Sequence, residues 1–146
     1  MIDFTSYEEV KLGDVAEFER AKKGHIYPAG SSFIQVAASR GQVGYLFEKS
    51  TVETKNVVII PQAVIDKFYF NIVLKKNIDE FMCKYATGIN VQEKDIGNIP
   101  IQLHGFETQK AIAAAVREMD ERCNEQENKI MKLNEFKKTL LSEMFI

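Results

Sequence analysis

Apolar residues in the last third of the chain recur at alternating spacings of four and three. Gln126 and Lys137 fill two steps of this series, and the apolar steps are Ile112, Val116, Met119, Cys123, Ile130, Leu133, Leu140 and Met144. A mean spacing of 3.5 residues sustained over several heptads is the pattern of a coiled-coil seam. Most intervening positions are charged, which keeps the outer face of such a helix in water. We expect one long helix that offers this seam to a second helix.

The length of this helix indicates whether the preceding domain can cover the whole seam. A helix from Glu107 to Met144 is roughly 57 Å long at about 1.5 Å per residue. A domain formed by the preceding residues has a radius of gyration of only about 13 Å. Such a domain cannot cover the full stripe, so we expect a second helix to do so. The alternative is a helix that folds back over its own domain.

Glycine and proline divide the chain near Gly105. All eight glycines and all three prolines lie at or before this residue, and residues 106–146 contain neither. Uninterrupted sequence rich in Ala, Glu, Lys, Leu and Met favours a continuous helix. We predict a globular domain over residues 1–105 and a coiled-coil spacer or dimerisation helix over residues 106–146.

Short segments of mixed type fill the first domain. Residues 64–86 have helical spacing, with Asn77 as a candidate N-cap and Gly88 as the closing glycine. Glu8–Glu17 fits either a strand or a helical turn. Strand patterns cover Ser32–Ala37, Gly44–Phe47, Lys55–Ile60 and Ile99–Leu103. Because strands and helices are mixed without strict alternation, we predict an α+β fold: a small-sheet domain followed by a long C-terminal coiled-coil helix.

Charge and cysteine content limit the class of protein. A formal net charge of −2 is not the strongly basic balance of a stand-alone nucleic-acid binder, so any DNA affinity depends on locally placed cations or on a partner that carries more of them. Cys83 and Cys123 have no metal-ligand spacing, and we expect both to be buried apolar residues. No apolar run is long enough to cross a membrane, and the acidic start lacks a signal-peptide pattern, so we expect a cytoplasmic protein.

Four motifs resemble those of one family, the specificity subunits of type I restriction-modification systems. VKLGDVAEF is similar to the start of the family's target-recognition domain, and ASRGQVGYL to its Ser-x-Gly-x-x-Gly turn. TGINVQEKDIGNIPIQL resembles the end of that domain. FETQKAIAAAV and the later EFKKTLLSEMFI resemble the two ends of the family's spacer helix. The terminal motifs are fairly specific, whereas the middle ones are weak alone.

The resemblance implies a DNA-recognition subunit with no cofactor of its own. A complete specificity subunit resembles two such units in tandem, so one unit implies a half-subunit that pairs with a second copy or a related half. The family further implies antiparallel pairing, a bipartite DNA target, and docking of a methyltransferase subunit and perhaps a restriction subunit. S-adenosylmethionine and ATP would belong to those partners. We expect no membrane partner.

Three polar segments have the side chains that DNA recognition needs, namely cations for phosphates and amides or guanidinium groups for base edges. The first is a basic turn, the second a glycine-flanked loop, and the third lies close to a helix start. Their candidate DNA-binding residues are Arg20, Lys22 and Lys23; Ser39, Arg40 and Gln42; and Thr87, Asn90, Gln92 and Lys94. A solvated loop explains the basic turn about as well, and a turn or cap explains Asn90 about as well.

Catalytic motifs are missing from the sequence. There is no methyltransferase tetrapeptide, no phosphate-binding loop and no metal-ligand spacing around His25 or His104. Glu53 and Lys55 imitate half of a nuclease site, which we attribute to chance. We therefore expect a protein that is not an enzyme. Two alternatives stay open: a decoy that pairs with another specificity subunit without reading DNA, and a small nuclease that uses Glu53 and Lys55.

Overall fold

A computed structural model of the chain describes residues 3–36, 41–85 and 93–145. Its elements follow one another in the order β1 (Tyr7–Lys11), α1 (Leu12–Val15), β2 (Ala16–Arg20), β3 (Ile26–Tyr27), β4 (Ser32–Gln35), β5 (Val43–Tyr45), β6 (Ser50–Thr51), β7 (Asn56–Pro61), α2 (Lys67–Tyr85), a 3₁₀ helix (Glu93–Asn98), β8 (Pro100–His104) and α3 (Phe106–Met144). Small antiparallel sheets and helices are mixed without alternation, so the α+β prediction is confirmed.

A four-stranded antiparallel sheet forms the centre of the fold, in the order β2-β7-β4-β5. Its most buried strand is β7, where Val57, Val58 and Ile59 are almost fully shielded from solvent. A run of β-branched residues suits a strand that is covered on both faces, which explains the short apolar segment seen in the sequence. The predicted strands around β4, β5, β7 and β8 are all present.

Helix α2 covers this sheet and also packs against β8. Its core-facing side chains include Phe70 and Leu74, which are fully buried. The side-chain amide of Asn71 donates to Ser32 Oγ and to the Gly44 carbonyl, both at 3.0 Å. Asn77 is not an N-cap as predicted: it lies within the helix, and its buried amide donates to the Pro100 carbonyl at 2.7 Å. The role of Asn77 is therefore set by its contact with Pro100 and not by its position in the helix.

The first strand pairs with the last one, a connection that the sequence does not reveal. Strand β1 runs antiparallel to β8, from the pair Tyr7 and His104 to the pair Lys11 and Pro100. The predicted ambiguity over Glu8–Glu17 is resolved as strand, single helical turn and strand. The start of the described chain therefore lies beside the strand that leads into α3.

Tyr69, His104 and Gln109 form a hydrogen-bonded cluster at this junction. The Tyr69 hydroxyl lies 2.6 Å from His104 Nδ1 and also donates to the Gln102 carbonyl. His104 Nε2 is 3.0 Å from the Phe4 carbonyl, so both ring nitrogens have a hydrogen-bond partner. Burial raises the pKa of the Tyr69 hydroxyl, because the phenolate is poorly solvated there.

Helix α3 is continuous over 39 residues, which confirms the long C-terminal helix. The chain separates into two compact units, Met1–Ala113 and Ala114–Ile146, so α3 begins inside the first unit. The predicted domain division after Gly105 stays a prediction. No helix within the described residues is long and apolar enough to cross a membrane.

Candidate nucleic-acid interface

Four strand ends meet at one end of the central sheet. The antiparallel register pairs Arg20 with Val57, Gln35 with Asn56, and Ile34 with Val43. Consequently the last residues of β2 and β4 and the first residues of β5 and β7 lie together. We call this the Arg20 end of the sheet, defined by Arg20, Gln35, Gln42 and the turn Glu53–Asn56.

Arg20 connects three segments at this end. Its Nε donates to the Thr54 carbonyl at 2.5 Å, and its backbone N–H donates to Glu93 Oε1 at 2.9 Å. The side chain is exposed although one nitrogen is held by the neighbouring turn. A guanidinium group fixed at one nitrogen presents its remaining donors in a defined direction, which suits recognition of a phosphate or a guanine edge.

The basic turn follows directly. The Ala21 N–H donates to the Asn56 carbonyl at 3.0 Å, and Gly24 turns the chain with φ of +77°. Lys22 and Lys23 are both exposed. Lys22 Nζ lies 3.7 Å from Glu19 Oε2, and exposed pairs of this kind contribute little stability. Lys22 can therefore exchange this contact for a phosphate at small cost.

Gln42 enters the Arg20 end from the glycine-flanked loop. Its carbonyl accepts from the Gln35 N–H at 2.9 Å, and the Gly41 N–H donates to the Gln35 carbonyl at 2.9 Å. Gly41 has φ of +89°, a conformation that favours glycine. The exposed Gln42 side chain borders a small cleft of about 240 Å³ that also touches Lys55 and Asn56. Ser39 and Arg40, two further candidates, lie outside the described residues.

The third predicted segment reaches the same end through the 3₁₀ helix. Glu93, its first residue, is the one that binds the Arg20 N–H, and the exposed Lys94 comes next. Thr87, Asn90 and Gln92 lie outside the described residues. The described parts of all three sequence-predicted segments are thus adjacent in space.

The turn Glu53–Asn56 also belongs to this surface, and the sequence interpretation set it aside. Asn56 donates to the Glu53 carbonyl through its backbone at 3.1 Å and its side-chain amide at 3.2 Å. Lys55 Nζ lies 3.2 Å from Glu53 Oε2, and both side chains are largely exposed. The Thr54 carbonyl of this turn accepts the hydrogen bond from Arg20 Nε. The turn's one sequence signal was a lysine at the first position of the predicted strand Lys55–Ile60, which becomes informative only when the strand register is known.

Acidic and basic groups alternate across the Arg20 end. Glu19, Glu53 and Glu93 each contact one of its cations or the Arg20 backbone. Within the described ranges, no three histidine, cysteine or acidic side chains come together in a way that would hold a metal ion. The arrangement offers binding groups of both charges and amides for base edges.

The predicted seam of α3 is exposed to solvent along most of its length. Ile112 and Val116 are partly buried, and Cys123 is exposed. Exposed fractions of the other seam residues are 58% for Met119, 56% for Ile130, 67% for Leu133, 42% for Leu140 and 72% for Met144. The expectation that Cys83 is buried is wrong, because it is exposed, and Cys123 is exposed in the single chain along with most of the seam. An apolar stripe of this length is typical of a binding surface.

Solved structures of type I restriction-modification proteins share this fold. The S subunit from M. genitalium matches with a TM-score of 0.69 and 20% identity, over 94% of this chain and 45% of that one. The HsdS subunit from Thermoanaerobacter tengcongensis matches with a TM-score of 0.62 and 15% identity, over 84% of this chain and 39% of that one. A chain from a structure that concerns complex assembly and conformational transition of the type I R-M system matches with a TM-score of 0.69 and 14% identity, over 84% of this chain and 40% of that one.

The sequence places the chain in the same class. It has the fold of a DNA-specificity subunit but spans less than half the length of these solved proteins. The family model for the type I restriction modification DNA specificity domain matches residues 18–135, which run from β2 into α3. The chain therefore belongs to the type I restriction-modification DNA specificity family. No curated protein matches it.

Proposed function

We propose that this chain supplies DNA sequence recognition to a type I restriction-modification complex. The observation that carries the proposal is the meeting of three sequence-predicted DNA segments at the Arg20 end, in a member of the specificity family. Lys22, Lys23 and Lys94 would contact phosphates, whereas Arg20 and Gln42 would contact base edges. Ser39, Arg40, Thr87, Asn90 and Gln92 remain candidates on sequence grounds.

Helix α3 would join this domain to a second specificity helix. Antiparallel pairing places two recognition domains at opposite ends of a rigid rod, so each contacts one half of an interrupted target. The seam residues from Ile112 to Met144 would form the contact, because their apolar side chains are otherwise left in water. We further propose that the methyltransferase subunit docks on this assembly in the cytoplasm, with a restriction subunit as a further partner.

The chain would bind without catalysing a reaction. Glu53 and Lys55, the residues of the nuclease alternative, form an exposed ion pair beside Arg20. That arrangement supports a binding role for Lys55, and the domain family is one of DNA specificity. Methyl transfer and any DNA cleavage would be performed by the partner subunits.

Reconstitution with the cognate modification subunit tests the proposal. We expect methylated adenines at one defined sequence in the presence of the chain and none without it. Gln42→Ala should alter the sequence preference while the complex still assembles. Lys67→Ala is the matched control, because this exposed lysine lies beside Gly30, away from the Arg20 end. Methylation that is unchanged when the chain is omitted would contradict the proposal.

A decoy is the second candidate, and the net charge of −2 favours it. A decoy would pair with another specificity subunit through α3 and block its function. The same reconstitution separates the two ideas, because a decoy gives an assembled complex that methylates no defined sequence. The convergence of cations and amides at the Arg20 end favours the DNA-reading role.

A further inference from the structure

The two flanks of the α3 seam carry opposite charges. Asp120 and Glu127 directly follow seam residues, and Arg122 and Lys129 directly precede seam residues. All four are exposed, so the middle of the seam has an acidic flank (Asp120, Glu127) and a basic flank (Arg122, Lys129). Arg122 bonds Glu118 at 2.8 Å on its own helix, but this exposed pair is weak and leaves the charge available to a partner.

Nearer the end of the helix each flank carries one exposed apolar residue beside a polar one, Leu141 after Asn134 and Phe136 before Glu143. Phe136 continues the basic flank and is 62% exposed, and Leu141 continues the acidic flank and is 46% exposed. The apolar stripe is therefore wider there than the seam alone. A partner helix must match charges in the middle of the seam and apolar groups towards its end.

A second copy of this helix does not match in the antiparallel direction. Antiparallel helices bring equivalent flanks together, so the acidic flank faces the acidic flank of the other copy and the basic flank faces the basic one. In the register that aligns the whole seam, Ile112 lies opposite Met144 and Cys123 opposite Leu133. Like charges at Glu127 and at Lys129 then meet near the two-fold axis. Arg122 of each copy also faces the apolar Phe136 of the other, and Asp120 faces the uncharged Asn134.

We propose that the antiparallel partner of this seam is a different helix, with basic residues opposite Asp120 and Glu127 and acidic residues opposite Arg122 and Lys129. This inference rests on the antiparallel pairing proposed above. Flank charges in coiled coils set partner choice and direction, and here they select against antiparallel self-pairing. Two copies of this chain fit one another only in parallel, where Arg122 of one lies beside Glu127 of the other.

Cys123 provides a built-in reporter of helix direction. In an antiparallel pair it lies opposite residue 133 of the partner, so a partner carrying Leu133→Cys can form a disulfide with it. In a parallel pair the two positions are ten residues apart, roughly 15 Å along the axis. Disulfides need Cα atoms within about 7 Å, so the parallel pair gives no such bond. Because Cys83 is also exposed, it is replaced by Ser in every protein used in the experiment.

The experiment mixes the Cys83→Ser chain with one of two partners under oxidised glutathione. Both partners carry Cys83→Ser, Cys123→Ser and Leu133→Cys, and one also carries reversed flanks: Asp120→Lys, Glu127→Lys, Arg122→Glu and Lys129→Glu. We expect about tenfold more mixed disulfide with the reversed partner at low salt, and a smaller ratio at high salt. The Cys83→Ser chain alone should give either no disulfide or the parallel one between two Cys123 residues.

Two outcomes would overturn the inference. Equal mixed disulfide with native and reversed flanks would show that the flanks do not select the partner. Absence of mixed disulfide with the reversed partner would show that complementary flanks do not produce antiparallel pairing. The assay contains neither DNA nor a methyltransferase, so either failure leaves the DNA-reading proposal to its own methylation test.

Discussion

The side-chain oxygen of Gln109 accepts a hydrogen bond from the backbone N–H of Asp66 at 2.9 Å. The first turn of α3 is thereby joined to the residue that precedes α2. The amide nitrogen of Gln109 donates to the His104 carbonyl at 2.8 Å, and Gln109 is only 4% exposed. Gln109 belongs to the motif TQKAIA, so this residue of the family-like sequence has a structural role at the start of the helix.

Gln109→Met tests this role. The variant keeps a side chain of similar volume but leaves the Asp66 N–H and the His104 carbonyl without their partner. Because buried unsatisfied groups are costly, we expect the free energy of unfolding to fall by about 1–3 kcal/mol. Urea denaturation measures the change, and Lys110→Met at the adjacent exposed position is the control. Equal stability of the two variants would show that the two hydrogen bonds contribute nothing.

Gly41→Ala tests the turn that positions Gln42. Gly41 has φ of +89°, and an added Cβ would lie 3.3 Å from Cγ of Met82. We expect a loss of about 1–2 kcal/mol in stability, because side chains disfavour this backbone conformation. Thermal unfolding should show a lower Tm. Gly105→Ala is the matched control, since its added Cβ meets nothing within 4 Å and its φ is not positive.

The sequence predicted the elements whose signals are local. The heptads of α3, the helical spacing of α2 and the β-branched run of β7 are each a pattern of apolar residues within a single segment, so each element was found within a few residues of its bounds. Asn77 shows the limit of this reasoning. A polar residue inside a helical pattern fits a cap, yet its partner is the Pro100 carbonyl of a distant strand.

The candidate site was only partly predictable for the same reason. Arg20 and Gln42 were selected by residue type, which needs no structure. Lys55 was considered only as part of a nuclease site and attributed to chance, whereas its place at the Arg20 end depends on the register that brings Asn56 beside Gln35. The pairing of β1 with β8 is likewise non-local, and nothing in either segment specifies the other.

Lys55→Ala tests whether the turn contacts DNA. A phosphate contact carries no sequence information, so we expect binding of the reconstituted complex to weaken about equally on all DNA sequences. The slope of log affinity against log salt should decrease by about 0.9 for the one lost contact. Fluorescence anisotropy at several salt concentrations measures both effects. Lys67→Ala should leave the slope unchanged, and an unchanged slope for Lys55→Ala would remove this turn from the interface.

Burial of Tyr69 predicts a dependence of stability on pH. Because its pKa is raised in the folded chain, the folded state holds the phenol proton at pH values where the unfolded chain releases it. This contribution is complete below about pH 10, the ordinary tyrosine value, and is lost as pH rises through the raised pKa. Urea denaturation between pH 8 and 11 should show a steeper loss for the native chain than for Tyr69→Phe. Equal slopes for the native chain and Tyr69→Phe would contradict this prediction.

Ile130→Lys tests whether the exposed seam is the pairing surface. Ile130 lies in the middle of the seam and is 56% exposed in the single chain, so the substitution should cost little stability. On pairing, the lysine would place a charge within an apolar contact, which requires its removal from water. We expect association with a partner helix to weaken at least about tenfold, measured by light scattering or by the mixed-disulfide yield. Asn128→Lys adds the same charge on the opposite, outward side of the helix and should pair normally. If both variants pair equally well, the contact lies elsewhere on α3.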